Sequence, residues 1–252
     1  MNYAILLAGG TGRRIQSTKV PKQFVRAGGR MMVTYALEPL LKSNHVDRVC
    51  VVAEHEYRDL IYSDAEQAGL DVKKITCYAI PANTGRQGSV LNAMQEILRD
   101  ICGEVDVEQI SDDDTALIHD ASRPFLSKKL VDDCYEAFDG HDGIMTVLPL
   151  YDNIYRTKEE DWTIEITPMD RKGVVIEQTP VIFRLKKYYN ANMSLMPDRL
   201  WKVKGIAEPA LMVGLEVVTV DGDEHNIRIT TESDLEHFIL AKNGDTDAQK
   251  RQ

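Results

Sequence analysis

The sequence contains no run of about 18 apolar residues, the length a helix needs to cross a bilayer. Its start, MNYAILLAGG, lacks the basic opening and long apolar stretch of a secretory leader, so a cytoplasmic location is expected. Cysteine is scarce. Cys50, Cys77, Cys102 and Cys134 are far apart with no Cys-x-x-Cys pair, which argues against a disulfide framework or zinc ribbon and for reduced thiols. The six histidines are dispersed, and no His-Glu-x-x-His helix occurs, so a zinc hydrolase is not indicated. Positive charge is also short: the net charge of −10 argues against general nucleic-acid binding, which needs a basic footprint.

The cations that are present are unevenly placed. Residues 1–30 hold Arg13, Arg14, Lys19, Lys22, Arg26 and Arg30 and no acid, while the other 222 residues carry 24 bases against 40 acids. A basic segment in an acidic chain reads as either a local site for a phosphate-rich ligand or an exposed basic loop.

Apolar runs and helical periodicity alternate along the chain, which predicts a mostly parallel sheet with helices on both faces. Tyr3 to Ala8 does not alternate with polar residues and reads as a strand buried on both sides. Val90, Leu91, Met94, Ile97, Leu98 and Ile101 fall on one helical face. Ser127 reads as the N-cap of a helix reaching about Phe138. Residues 151–177 break the rhythm with alternating, charged segments and read as an extended β-arm, which needs something to pack on, a second subunit being the natural candidate. A helix is expected from Phe183 to Ala191 and a last one from Thr231 to Lys242. Residues 1–242 then form one domain, and the polar residues 243–252 form a disordered tail.

Four groups of residues carry candidate chemistry. The loop Ala8-Gly9-Gly10-Thr11-Gly12-Arg13-Arg14 follows the first strand, where glycines let backbone N–H groups approach phosphate oxygens. It is not a Walker A loop, and two arginines occupy the place of the third dinucleotide-fingerprint glycine. Pro21-Lys22-Gln23-Phe24 places a lysine soon after Arg14; Lys22 is either a phosphate ligand or a surface lysine. His119-Asp120-Ala121-Ser122-Arg123-Pro124 puts a carboxylate at a strand's carboxyl edge, where it serves either as a Mg²⁺ ligand or as a turn cap paired with Arg123. Arg171, Gln178-Thr179-Pro180 and Asn226-Ile227-Arg228-Ile229-Thr230 complete the set; Gln178-Thr179-Pro180 also reads as a simple turn.

In this order these motifs closely resemble the cytidylyltransferases acting on 2-C-methyl-D-erythritol 4-phosphate and on ribitol 5-phosphate, from residue 3 to about 240. The resemblance implies a Rossmann-like nucleotidyltransferase fold, Mg²⁺, CTP and a polyol phosphate as ligands, and a homodimer joined through the arm. It implies that Arg14, Lys22 and Arg228 are catalytic, that Ala8, Gly9, Gly10, Thr11, Gly12, Arg86, Ser89, Asp120 and Ala121 border the nucleotide, and that Asp120 also holds the metal. Arg123, Asn153 and Arg171 would take the acceptor, Arg171 in the partner's site. This chain differs in having Ala82-Asn83-Thr84 near the base site, Arg228 for a more usual lysine, Asn153 for a frequent threonine and Ile206-Ala207-Glu208-Pro209-Ala210 for an acidic segment. The competing readings are transfer from another nucleotide to a sugar phosphate, and a CTP-binding module without activity.

Overall fold

The computed structural model describes residues 1–10, 15, 17–79, 85–157 and 166–249, with backbone alone for 201 and 245–249. The chain runs β1 (Asn2–Leu7), β2 (Arg26–Ala27), β3 (Arg30–Met31), α1 (Met32–Lys42), β4 (Arg48–Ala53) and α2 (Arg58–Gln67). It continues through β5 (Ile75–Ala79), α3 (Gly85–Cys102), β6 (Thr115–Asp120), α4 (Lys128–Ala137) and β7 (Gly143–Pro149). A short ribbon of β8 (Ile154–Arg156) and β9 (Thr167–Met169) precedes β10 (Val175–Arg184), α5 (Leu185–Ser194), α6 (Glu208–Met212), β11 (Val217–Asp221) and α7 (Glu232–Gln249).

Seven strands form one sheet in the order β11-β7-β10-β6-β1-β4-β5. All pair in parallel except β10, which is antiparallel to both β6 and β7. Successive residues of β1 face opposite layers. Ala4 and Leu6 join the cluster packed by α1, α2 and α4, whereas Tyr3 and Ile5 join the one packed by α3, α5 and α6. This is the physical content of the non-alternating sequence, since both faces of the strand are covered. In α3, Val90, Leu91, Met94, Ile97 and Leu98 are buried, while Ile101 lies 43% exposed near the helix end. Ser127 caps α4 as expected, its hydroxyl accepting the Leu130 N–H at 3.1 Å.

Three expectations change. Gln178-Thr179-Pro180 is not a turn and Phe183 is not helical, because both lie in the central strand β10. The ladder between β10 and β7 shifts register between Glu177 and Val181, so the proline, which cannot donate to a ladder, sits at that irregularity. The final helix does not stop near Lys242 but continues to Gln249, through the residues expected to form a loose tail. Asn243, the first residue of the expected tail, accepts the Gly28 N–H on its Oδ1 at 2.7 Å.

The topology dictates where a ligand fits. From β1 the chain moves to β4 and β5 on one side, then crosses to β6 on the other, so the connections diverge between β1 and β6. In parallel sheets the crevice at such a point, beyond the carboxyl ends of the strands, is the natural ligand site.

Candidate functional site

Leu7, the last residue of β1, pairs with Asp120, the last of β6. The Ala121 N–H donates to Leu7 O at 3.0 Å, and the Ala8 N–H donates to Val52 O at 2.8 Å. The start of the glycine-rich loop and the Asp120 carboxylate therefore leave the sheet side by side.

The buried Gln23, on the short 3₁₀ turn Lys22–Phe24, holds the start of this loop. Its Nε2 donates to Ala8 O at 2.7 Å and to Gly10 O at 2.9 Å. Both carbonyls are thereby turned inward. Gly9 and Gly10 are exposed, and a Cβ on Gly10 would meet nothing within 4 Å, so this glycine borders open space. Thr11, Gly12, Arg13 and Arg14 lie outside the described residues, as do Ala82, Asn83 and Thr84. Lys22 donates from Nζ to Ile229 O, which brings the lysine and the Asn226–Thr230 stretch together.

Asp120 is buried and bound by two guanidinium groups on one oxygen. Arg86 Nη2, from the first turn of α3, lies 2.7 Å from Oδ2, and Arg228 Nη2 bonds the same atom. Burial pushes its pKa up, but Arg86 and Arg228 outweigh this and hold the carboxyl below its usual range. Ser89, one turn along α3, donates its hydroxyl hydrogen to Gly85 O at 2.8 Å and is half-buried.

Arg123 is 7% exposed and donates from Nη1 to Asn226 O at 2.7 Å. Burial, then the nearby Arg228 charge, lower its pKa to about 10, which leaves it cationic at neutral pH. Arg123 Nε, Arg228 Nε and Asn226 Oδ1 are buried atoms without a protein partner. Such atoms are uncommon in native interiors and mark places where water or a ligand completes the bonding.

Beneath the charges runs a neutral chain of hydrogen bonds. Thr179 Oγ1 accepts the Asp120 N–H at 3.2 Å and lies 3.1 Å from His119 Nδ1, while His119 Nε2 lies 3.1 Å from Arg123 O. A carbonyl can only accept, so Nε2 carries the hydrogen and Nδ1 receives the Thr179 hydroxyl. Burial pushes the pKa of His119 down to about 4, which keeps the ring neutral. Asn226 Nδ2 donates to Thr179 O at 2.8 Å, and Gln178 exchanges bonds with the backbone of Asp223.

The fold thus brings together Ala8, Gly9, Gly10, Lys22, Arg86, Ser89, Asp120, Ala121, Arg123 and Arg228. Asn153 and Arg171 are both exposed, Asn153 just before β8 and Arg171 just after β9. Sequence reasoning missed Gln23, His119 and Thr179 as site-building residues. Each stood inside a quoted motif, but nothing in a residue type announces which carbonyl a carboxamide or imidazole will meet.

The family model described as "IspD: 2-C-methyl-D-erythritol 4-phosphate cytidylyltransferase" matches residues 2–242. The chain belongs to this family. Membership makes it a cytidylyltransferase. A 2-C-methyl-D-erythritol 4-phosphate cytidylyltransferase of Thermotoga neapolitana is 32% identical over 239 residues, covering 94% of each chain. A ribitol-5-phosphate cytidylyltransferase of Lacticaseibacillus paracasei is 28% identical over 240 residues, covering 94% of this chain and 96% of that one. Among solved structures, the 2-C-methyl-D-erythritol 4-phosphate cytidylyltransferase of Francisella tularensis superposes with a TM-score of 0.74 at 23% identity. That superposition covers 95% of this chain and 98% of the other. It speaks for the fold, a Rossmann-like nucleotidyltransferase core with a protruding β-arm.

Two predictions follow from this geometry. Replacing Gln23 with Ala frees two carbonyls and raises the KM for CTP by about tenfold, the scale of one lost buried hydrogen-bonding group. Gln23→Glu sets a carboxylate against the same carbonyls and does worse; steady-state kinetics with a wild-type KM in Gln23→Glu would contradict the role. For His119, the ordinary value of 6.5 falls to about 4 on folding. The unfolded chain therefore takes up a proton across that window that the folded chain does not, and stability falls as pH drops from 6.5 towards 4. His119→Gln should flatten this part of the denaturation-versus-pH curve, by up to about 1.4 kcal/mol per pH unit. Asp120, held below 3.8, adds its own loss only at lower pH.

Proposed function

We propose that the protein transfers the cytidylyl group of CTP to a polyol phosphate, 2-C-methyl-D-erythritol 4-phosphate or ribitol 5-phosphate, and releases pyrophosphate. The observation that carries the reading is the pairing of Leu7 with Asp120, which sets the start of the glycine-rich loop, Ala8 to Gly10, beside a carboxylate flanked by Arg86 and Arg228. Relatives with either acceptor in their names match nearly the full chain.

The acceptor's phosphate oxygen attacks the α-phosphorus of CTP in line with the departing pyrophosphate. A phosphate monoester is largely dianionic at neutral pH, so no protein base or covalent intermediate is needed. The task is to gather two polyanions and to stabilise the charge that builds on the leaving group. Lys22, Arg14 and Arg228 serve the triphosphate, while Arg123, Asn153 and a partner's arm arginine, Arg171, serve the acceptor. Asp120 holds the Arg86 and Arg228 guanidinium groups in place, an arrangement that preorganises part of the cationic array for the triphosphate.

Among the described residues no group of three or more His, Cys, Asp or Glu could hold a metal. Asp120 alone suits Mg²⁺, which is commonly held by one or two carboxylates together with substrate phosphates. The ion would supply charge neutralisation at the phosphates. The described part of the chain has no helix long and apolar enough to cross a membrane, and all four cysteines are free thiols. Both support a cytoplasmic enzyme.

Pyrophosphate release with CTP and Mg²⁺ against a panel of polyol phosphates tests the reading. The expected outcome is turnover with one of the two named acceptors, lowered about 10²-fold or more in Lys22→Ala, the scale of losing a transition-state charge contact. CTP binding without release on any acceptor would make the protein a binding module, and release with another nucleotide and a sugar phosphate would reassign the substrates. The arm exposes Tyr151, Tyr155, Ile166 and Met169, and the root of β10 adds Val175 and Ile176. This apolar surface is the homodimer contact of the proposal. Sedimentation at micromolar concentration should give a dimer that Tyr155→Glu weakens; a wild-type monomer would remove this part.

A further inference from the structure

Glu177 puts a second carboxylate on the face of the sheet that carries Asp120. It stands opposite Val147 in the β10–β7 ladder, and so shares the side on which Met145 packs with α3, α5 and α6. In β6, Ala116 and Ile118 turn to that same layer, and the period of two puts Asp120 there as well. Thr179, two residues along from Glu177, accepts the Asp120 N–H, and β10 runs antiparallel to β6. Glu177 therefore lies just beyond the carboxyl end of β6, in the crevice and on the Asp120 side of it.

The two carboxylates are met differently. Asp120 holds two guanidinium groups, whereas Glu177 Oε1 is buried and has no protein partner. Its Oε2 approaches Gly205 so closely that a Cβ there would lie 3.0 Å away. Glu208, which borders the same glycine, bonds the Gly205 and Lys204 N–H groups with its two oxygens. Arg123 senses the Glu177 charge, which opposes the effects of burial and of Arg228 on its pKa. Arg123 Nε is itself a buried donor without a partner. The fold thus leaves one acceptor and one donor unmet, on two residues of opposite charge. A carboxylate oxygen repels phosphate, so Glu177 is unsuited to the triphosphate or to the phosphate end of the acceptor. It suits a hydroxyl, whose hydrogen it can take in a charge-assisted bond. We infer that Glu177 is a specificity-determining residue for the acceptor, its Oε1 accepting a hydroxyl hydrogen of the polyol chain. The inference rests on the proposed reading of the acceptor as a polyol phosphate.

Turnover with deoxygenated acceptors tests it. The parent is whichever of 2-C-methyl-D-erythritol 4-phosphate and ribitol 5-phosphate the wild type uses, set against analogues that each lack one hydroxyl. In the wild type one analogue should lose about tenfold or more in kcat/KM, the scale of a hydrogen bond to a charged group. Glu177→Ala should lose a similar factor on the parent and no longer distinguish that analogue from it. Glu177→Gln keeps the shape and one acceptor oxygen and should fall between. The KM for CTP should stay within about threefold of wild type in both variants. An unchanged kcat/KM for the parent in Glu177→Ala overturns the inference. So does an equal loss on the parent and on every analogue, since an effect passed through Arg123 or through the fold would not depend on one hydroxyl. A loss in Glu177→Gln that added Mg²⁺ restores would make the carboxylate a metal ligand and likewise overturn it. Wild-type protein that turns over neither parent would instead refute the acceptor reading itself, and the role of Glu177 with it.

Discussion

A carboxylate buried at the end of a strand is costly unless its charge is met, and Asp120 is met twice. Arg86 comes from the start of α3 and Arg228 from the stretch after β11, so one anion draws together two segments that share no hydrogen-bond ladder. The register that sets Asp120 against Leu7 puts this junction at the point where the sheet's connections diverge. Without Asp120, Arg86, Arg123 and Arg228 would face one another with only repulsion between them. The anion is thus both a fold constraint and the counter-charge that lets these arginines cluster.

The layer below is polar but uncharged, and the contrast has a physical cause. A protonated His119 under Arg123 and Arg228 would add a buried charge to a place already rich in cations. Burial keeps the ring neutral, and the Thr179 hydroxyl and Arg123 carbonyl then assign each ring nitrogen one role. Asn226 and Gln178 extend the same scheme to the backbone of β10 and of the Asp223 turn. Charged groups form the upper layer, and neutral ones keep them registered.

Much of this was legible in the residues. The unbroken apolar run of β1, the 3.6-residue pattern of α3 and the cap at Ser127 are local signals, and each element formed where its signal lay. The order of the motifs likewise pointed to one edge of a parallel sheet and to the reaction class. What was not legible depends on contacts between distant segments. β10 was obscured because Gln178-Thr179-Pro180 carries a turn-like composition, and only the register shift against β7 lets a strand absorb the proline. The helical end of α7 was obscured by the polar composition of residues 243–252, which does not announce that Asn243 will accept the Gly28 N–H. Gln23 had the right neighbours in sequence, but its importance lies in the direction of one carboxamide.

β10 has two halves with different surroundings. Val175 and Ile176 stand exposed at the root of the ribbon, whereas Thr179 to Phe183 are buried, with Thr179 bonded to the Asp120 amide. Residues 175–177 pair with β7, residues 181–183 are held between β7 and β6, and the register irregularity lies between the two stretches. One strand thus carries a fixed, buried end beside Asp120 and an apolar end that water still reaches.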